Sequence, residues 1–472
     1  MIKKKNYLLF FSFFVFITSC SLDNKTGIWD GAEEQKKRID KLREERKRIV
    51  STISLYSTKD FESKEIPPKT TITLSSPKIN LAWKMSGYNA QNNIGHKYLA
   101  SITGQFFKEK ITKNKFIRSQ EISPILFVDN FIYITSDNGS IFKVNYSGKT
   151  IWKKNIYKKL YKKMYKKLSI AIHDNDIFIS DNMGFIYALD SITGDVKWIK
   201  NHGIPLKSQL KIFDNKLFVV NQDNRLLCLD SKNGVKLWDI RSISSYIKSQ
   251  SLISIAVSNS GELVFLNSSG DLNKVNTKNG RLLWTVNAKD FSFAHDTDFF
   301  KSSNIVIDGN NIFFTTKTKI YSYDLYSGYL IWSQNINSES NPIIDGNYIF
   351  LVTKDGYFLN FDKNTGEIIW STNILPVLDS GWKMPLQIDK TKTFVTGFIL
   401  GSGKLYITTF NGFLIICSAT TGKVESSQRV AFNNTYSPII SNNSLFVLTK
   451  TFRLLGFNGD SSKKFKYWKK FW

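Results

Sequence analysis

A repeated motif constrains this chain more than any other feature of its sequence. Beyond residue 120, a β-branched and aromatic strand, a polar turn and a second strand recur, followed by a turn ending in glycine and, four residues later, by tryptophan. The six complete copies end at Trp152, Trp198, Trp238, Trp284, Trp332 and Trp370. A seventh copy keeps Gly422 but has Ser426 at the tryptophan position. The turn glycines recur every 38 to 56 residues, near the roughly 40–45 residues of a four-stranded propeller blade.

The segments between these glycines have the character of strands. Residues 185–189 and 226–229 are short, apolar and bounded by turn residues, as expected of strands buried on both faces. Each tryptophan is expected to pack against the neighbouring blade, because a single blade has no core of its own. Four aspartates precede the turn glycine by four residues, a spacing at which the carboxylate can accept turn N–H groups; they are Asp190, Asp230, Asp324 and Asp362.

The ring of repeats must close, because an open stack would expose an edge strand. Residues 436–457 have the pattern of three blade strands without a fourth. We expect residues 79–85 to supply the missing strand, with Trp83 in the blade-docking position. The sequence therefore predicts an all-β, eight-bladed β-propeller of four-stranded antiparallel blades, closed by an N-terminal strand. A seven-bladed ring is the alternative.

The amino-terminal residues are typical of an export signal. Lys3, Lys4 and Lys5 precede an apolar run of 11 residues, shorter than the roughly 20 that a membrane-spanning helix needs. The sequence Ile17-Thr18-Ser19-Cys20 resembles a bacterial lipobox, which predicts cleavage after residue 19 and acylation of the Cys20 thiol. An ordinary cleaved signal is the alternative. The predicted domains are a signal peptide (1–19), a lipidated stalk with a short charged helix and a linker (20–70), the propeller (71–460) and a basic aromatic tail (461–472).

Positive charge is concentrated in short segments of the chain. Lysine and arginine number 65 against 39 acidic residues, a net charge of +26. Residues 153–167 contain a run of lysines without an acid, and the tail adds more. Such clusters attract anionic membrane surfaces, partner carboxylates or nucleic acid, the last being disfavoured for an exported chain. A solvated loop in a lysine-rich protein is the alternative.

The sequence has no recognisable catalytic motif. The four histidines are scattered, and no phosphate-binding loop, nucleophile elbow or haem-attachment motif is present. Cys228 and Cys417 lie in apolar strand segments and are expected to be buried thiols. We therefore predict no catalytic residue, no metal ligand and no cofactor.

Several features together resemble a known family. The lipobox, the charged stretch after it, Trp83 followed by Gly87-Tyr88-Asn89 and His96, and the ring of repeats are similar to BamB-family proteins, the propeller lipoproteins of the β-barrel assembly machinery. The resemblance implies a non-enzymatic scaffold, lipid-anchored on the periplasmic side of the outer membrane. It would bind the periplasmic domains of the barrel-inserting subunit and assist the assembly of outer-membrane proteins.

The resemblance also implies two partner-binding loops on neighbouring blades. Aligning the repeats places an apolar and basic pair at Ile247 and Lys248, and places the acidic loop just after Asp296 and Asp298, which can substitute for the family's acids. The alternative is that all four are ordinary loop residues without a partner-binding role.

Two other functions remain open. The same repeats build dehydrogenases that depend on pyrroloquinoline quinone, which in that family stacks on a central tryptophan, often against a disulfide between adjacent cysteines, with Ca²⁺ nearby; here no cysteines are adjacent. A propeller that binds cell-wall polymer is the third possibility.

Overall fold

The structure is a computed structural model that describes residues 61, 63–68, 70–112, 125–158, 161, 164–242, 251–288, 300–376, 395–431, 436–459 and 469–470. These residues belong to one compact unit spanning Lys59–Trp472. They form eight antiparallel sheets, each a blade of a closed ring, which confirms the eight-bladed propeller over the seven-bladed alternative.

The strands follow one another along the chain blade by blade, after a single strand that precedes the first blade. That strand is β1 (Gly104–Lys110). Blade 1 comprises β2 (Ile125–Val128), β3 (Phe131–Thr135), β4 (Ser140–Asn145) and β5 (Thr150–Asn155). Blade 2 comprises β6 (Leu168–His173), β7 (Asp176–Asp181), β8 (Phe185–Asp190) and β9 (Val196–Asn201). Blade 3 comprises β10 (Lys211–Phe213), β11 (Lys216–Val220), β12 (Arg225–Asp230) and β13 (Lys236–Arg241). Blade 4 comprises β14 (Ser254–Val257), β15 (Glu262–Leu266), β16 (Asp271–Asn276) and β17 (Leu282–Asn287).

The second half of the ring repeats this arrangement. Blade 5 comprises β18 (Val306–Asp308), β19 (Asn311–Thr315), β20 (Lys319–Asp324) and β21 (Leu330–Asn335). Blade 6 comprises β22 (Ile343–Asp345), β23 (Tyr348–Val352), β24 (Tyr357–Asp362) and β25 (Ile368–Asn373). Blade 7 comprises β26 (Val395–Gly401), β27 (Lys404–Thr409), β28 (Phe413–Ser418) and β29 (Val424–Arg429). Blade 8 contains β30 (Ile439–Ser441), β31 (Ser444–Leu448) and β32 (Arg453–Asn458), and β33 (Lys469–Lys470) joins the edge of blade 7.

The first strand of each blade lies at the ring axis and the fourth strand at the rim. The three inner strands are almost continuously buried, as in β2 and β12, because neighbouring blades cover both of their faces. The fourth strands of blades 1 to 4 consist of exposed and half-buried residues, as in β9. A continuous run of apolar residues in the sequence therefore indicates a strand that is packed between two neighbouring blades.

Ring closure uses a different strand from the one expected from the sequence. β1 pairs antiparallel with β32, from Gly104 opposite Asn458 to Lys110 opposite Arg453, and completes blade 8. The prediction that residues 79–85 fill this place is wrong. That segment instead reaches the axis, where Trp83 and Phe127 of β2 exchange backbone hydrogen bonds of 2.5 and 3.1 Å. Closure by an N-terminal strand is thus confirmed, but the strand begins at Gly104, 25 residues later in the chain than the predicted start at residue 79.

The outer turns have the hydrogen bonds expected from their sequence. The Asp190 carboxylate accepts the N–H groups of Ile192 and Thr193 at 2.8 and 2.9 Å, and these bonds hold the pKa of Asp190 below its ordinary value. The turn ends at Gly194 with φ +74°. Asp230, Asp324 and Asp362 accept turn N–H groups in the same way.

The tryptophans of the motif lie against the turn glycine of the next blade. An ideal Cβ at Gly194 would lie 3.0 Å from the Trp152 ring, and the contact recurs around the ring. The further pairs are Trp198 with Gly234, Trp238 with Gly280, Trp284 with Gly328, Trp332 with Gly366, and Trp370 with Gly422. In the closing blade, Phe107 of β1 takes the tryptophan's place against Gly148. Trp83 is the exception to the predicted docking set, because it lies at the axis.

Extended segments at both ends of the described chain lie on the rim. Residues 63–66 run beside β25 of blade 6, and β33 runs beside β29 of blade 7. None of the helices among the described residues has both the length and the apolar character needed to cross a membrane.

Candidate functional site

A single extended segment fills one end of the ring axis. Residues 75–100, here called the axial segment, contact the first strand of every blade. Backbone bonds join Trp83 to β2, Lys84 to Ile172 in β6, Ala90 to Val257 in β14, Gln91 to Ile307 in β18 and Lys97 to Leu400 in β26. Side chains complete the circuit through Lys211 of β10, Asp345 of β22 and Ile440 of β30. One stretch of chain therefore ties all eight blades together at the centre.

Trp83 is enclosed within this segment. Its side chain is only 4% exposed and packs edge-on against Tyr88, with ring centroids 5.2 Å apart and planes inclined at 63°. It belongs to the same apolar cluster as Phe127 and the core of blade 1. No face of this indole is open to a planar ligand.

A lysine side chain is fully buried at the axis. The Lys211 ammonium donates hydrogen bonds to the carbonyl oxygens of Ser86 and Asn89 at 2.6 and 2.9 Å and to Asn92 Oδ1 at 2.5 Å. Loss of hydration on burial lowers the pKa of Lys211 to about 7. Asn92 in turn donates to the carbonyl oxygens of Ile255 and Ile305 at 2.9 and 2.7 Å. The cation thereby links blades 3, 4 and 5 through the axial segment.

His96 joins the axial segment to blade 7 and lies beside Asp345 of blade 6, whose Oδ2 is 3.9 Å from Nδ1. Its Nδ1 lies 2.7 Å from the Ser75 carbonyl oxygen, while Nε2 accepts the backbone N–H of Gly403 at 2.8 Å. This pattern requires the neutral tautomer with the proton on Nδ1. Beside it, Nζ of Lys97 lies 3.6 Å from the centroid of the Tyr88 ring. Loss of hydration on burial and the nearby charge of Lys78 lower the pKa of Lys97 to about 8.

A cavity of about 590 Å³ opens at the starts of the axial strands of blades 4 to 8, and is here called the polar cavity because most of its lining residues have hydroxyl, amide or charged side chains. Ile94 of the axial segment contributes to its lining, and hydroxyl and amide side chains such as Ser303, Asn304 and Thr396 contribute most of the rest. Glu339 at its margin binds Lys301 at 2.6 Å and Lys354 at 2.7 Å. Burial alone would raise the pKa of Glu339, but the two lysines outweigh it and hold the pKa below its ordinary value.

The predicted contact and lipid-attachment residues lie outside the described chain. These are Cys20, Ile247, Lys248, Asp296 and Asp298. The described chain resumes at Ser251 after the first predicted loop and at Phe300 after the second; Ser251, Leu252 and Lys301 line the polar cavity.

The propeller residues match a known family model. The model described as outer membrane protein assembly factor BamB matches residues 126–372, slightly more than half of the chain. The chain belongs to the BamB family. It is 20% identical over 316 residues to the outer membrane protein assembly factor BamB of Yersinia pestis, covering 65% of this chain and 76% of that protein.

Solved structures share the fold at low sequence identity. BamB from Moraxella catarrhalis superposes with a TM-score of 0.61 at 13% identity, covering 76% of this chain and all of that chain. The quinohemoprotein alcohol dehydrogenase of Comamonas testosteroni superposes with a TM-score of 0.62 at 10% identity, covering 82% of each chain. These likenesses show a common propeller fold.

The residues of this BamB-family chain do not fit a quinone site. Cys228 and Cys417 are buried free thiols on blades 3 and 7, so they cannot form the disulfide between adjacent cysteines. Burial raises the pKa of Cys228 to about 12, which keeps this thiol protonated. Trp83 at the axis is enclosed, and the axial segment fills the space around it. Among the described residues, no group of three histidine, cysteine or acidic side chains could hold a metal ion.

Two features of the axis, the buried Lys211 and the axial segment, were not predicted from the sequence. Lys211 of β10 pairs with Phe218 of β11. The equivalent positions on blades 2, 5 and 6 also pair with phenylalanine, but they hold the apolar residues Ala171, Val306 and Ile343. A lysine at an apolar position of the repeat was the available signal. The axial segment had no such signal, because its contacts follow no sequence period.

Proposed function

We propose that this chain is a non-enzymatic scaffold of the outer-membrane β-barrel assembly machinery. In this role it holds the periplasmic domains of the barrel-inserting subunit and assists the insertion of outer-membrane proteins. The proposal is carried by one observation: a BamB-family ring has its axis occupied by its own chain, where a quinoprotein enzyme needs room for a cofactor. A rigid ring presents loops with little ordering cost on binding.

The proposed partner contacts are Ile247 and Lys248 on one loop and Asp296 and Asp298 on the next. Their support is the family resemblance together with the polar cavity, whose described lining includes the residues that follow both loops. Opposite charges on two adjacent loops favour a partner surface of mixed charge and fix its orientation.

The proposed attachment is a lipid on Cys20 that holds the chain at the periplasmic face of the outer membrane. The described chain begins at Phe61, whose backbone N–H donates to the Asn335 carbonyl oxygen on the rim at 3.3 Å. Cys20→Ser should move the protein from the membrane to the soluble fraction, because acyl chains supply the membrane affinity.

Capture of the partner tests the scaffold role directly. The tagged full-length chain, purified from detergent-solubilised membranes, should retain a large outer-membrane barrel protein with periplasmic repeats, identified by mass spectrometry. Lys248→Glu should weaken this capture without lowering the thermal midpoint, whereas Lys232→Glu, an exposed turn residue of blade 3, should leave it unchanged. Retention of nothing, or of a small molecule alone, would contradict the scaffold role.

The enzyme alternative has its own test. Purified protein supplied with pyrroloquinoline quinone, Ca²⁺ and an alcohol or sugar should not reduce an artificial electron acceptor. Turnover in that assay would overturn the non-enzymatic proposal.

A further inference from the structure

The outer edges of the blades differ in what covers them. On blade 6, Ile66 and Ser371 of β25 exchange backbone hydrogen bonds of 3.0 and 2.9 Å, and the Ser371 hydroxyl also donates to the Lys64 carbonyl oxygen. On blade 7, β33 pairs with β29. On blades 1 to 4, no residue in the described ranges pairs with the free edge of the fourth strand. Among the described residues, segments of the chain itself thus cover the rim edges of blades 6 and 7, and none covers those of blades 1 to 4.

Burial at one position of the repeat follows this difference. The residue before the tryptophan is 9% exposed in blade 6, where it is Ile369, and 43% exposed in blade 4, where it is Leu283. The corresponding Ile151 and Leu237 are 48% and 47% exposed. Ile72, from the N-terminal segment that crosses blade 6, shares an apolar cluster with Ile369. The same apolar position is covered where the N-terminal segment lies on it and uncovered on blades 1, 3 and 4.

The register of blade 4 shows which backbone groups point outward. Thr285 follows Trp284 and pairs with Asn273, just as Ser371 follows Trp370 and pairs with Leu359. In both ladders the register shifts after the next pair, between Lys274 and Val275 in blade 4 and between Asn360 and Phe361 in blade 6. Because Ser371 directs its N–H and C=O to Ile66, Thr285 directs its own away from blade 4.

Blade 4 has the least protected of these edges. Exposed lysines interrupt the others at Lys153, Lys197 and Lys236, and charge is the usual means of protecting an edge strand. β17 has the sequence LLWTVN without a charged residue. Its charges lie beside the strand instead: Lys278 and Arg281 are exposed in the preceding turn and form no ion pair with any described residue.

We propose that the free edge of β17 accepts an extended segment of a partner polypeptide as a fifth strand of blade 4. The segment would have alternating apolar and acidic side chains: the apolar ones cover Leu283, as Ile72 covers Ile369 on blade 6, and the acidic ones meet Lys278 and Arg281. The site goes beyond the proposed scaffold role, because it does not depend on the identity of the barrel-inserting subunit or on the two contact loops.

Removal of one N–H group tests the site. Proline is tolerated at an edge whose N–H faces away from the sheet, so Thr285→Pro deletes the outward donor, and Thr285→Ala is its matched control. Both variants lose the Thr285 side-chain bond to Asn273. The probe is a fluorescein-labelled synthetic peptide of alternating valine and glutamate, with binding to the full chain followed by fluorescence anisotropy at low salt.

The peptide should bind the wild type and Thr285→Ala alike and bind Thr285→Pro at least about tenfold more weakly. A valine and lysine peptide should bind more weakly than the glutamate peptide. Equal affinity of the proline and alanine variants, or no binding of the glutamate peptide, would overturn the proposal.

A second variant covers the case in which Thr285→Pro does not fold, as judged by circular dichroism. Leu283→Glu keeps the backbone and places a like charge at the covered position, so it should weaken glutamate-peptide binding about tenfold. Unchanged affinity would overturn the proposal. Capture of the barrel-inserting subunit should not respond to either substitution, so a failure of this proposal can be distinguished from a failure of the scaffold role.

Discussion

The indole of Trp198 on blade 2 lies directly over Gly234 in the outer turn of blade 3. An ideal Cβ at position 234 would lie only 2.7 Å from Cζ3 of that indole. The tryptophan of one blade thus contacts the turn glycine of the next blade. Within one repeat, the tryptophan follows its own glycine by four residues. This arrangement makes every blade depend on its neighbours for a complete core.

Gly234→Ala should be more damaging than a glycine substitution without a close neighbour. Gly203 is the control, because its φ of +71° matches the +69° of Gly234, yet nothing lies within 4 Å of an added Cβ. Both variants incur the left-handed backbone cost, but only Gly234→Ala displaces an indole, at a further cost of about 1–3 kcal/mol. Urea titration of both variants measures the difference; equal losses would show that the indole moves freely.

Trp370→Ala should lower the free energy of unfolding by about 3–5 kcal/mol, the range for a fully buried large side chain. Trp370 is fully buried in an apolar cluster that also contains Phe398 of blade 7 and Ile72 of the N-terminal segment. Trp152 is only partly buried, so Trp152→Ala should cost less. The reverse order in denaturant titrations would contradict the burial of the two indoles.

Phe107→Ala should weaken ring closure. Phe107 is 7% exposed on β1, and its ring lies against Gly148 of blade 1, the contact that tryptophan makes elsewhere. We expect a loss of roughly 3–5 kcal/mol. Lys108→Ala, at the next and exposed position of the same strand, is the control and should have little effect. Similar stabilities of the two variants would argue against closure by β1.

Lys211→Met should change how stability depends on pH. The pKa of Lys211 is lowered to about 7 in the folded chain, whereas an exposed lysine titrates near 10.4. Between these values the unfolded chain binds more protons, so wild-type stability should rise with pH relative to the variant, by at most about 1.4 kcal/mol per pH unit. Below pH 7 this contribution should be constant. Urea titrations at pH 7, 8 and 9 check the sign; parallel curves would contradict it.

The strand pattern and outer turns could be predicted because each depends on residues close together in the chain. Asp190 and Gly194 form one turn, and their spacing alone indicates its hydrogen bonds. The placement of Trp83 could not be predicted in this way. Its neighbours Phe127 and Tyr88 enclose it at the axis, while Phe107, which has no tryptophan signature, closes the ring.

The sequence by itself determined the blade as a unit, its repetition and the family to which the chain belongs, because periodic strands and turns arise from local chemistry repeated along the chain. Only the tertiary structure decided which strand seals the ring, how residues 75–100 visit all eight blades, and why Lys211 is stable at the axis. Each of those features depends on single contacts between residues more than 40 positions apart, such as Lys211 with Ser86 and β1 with β32. Such contacts leave no period in the sequence, because each is made once.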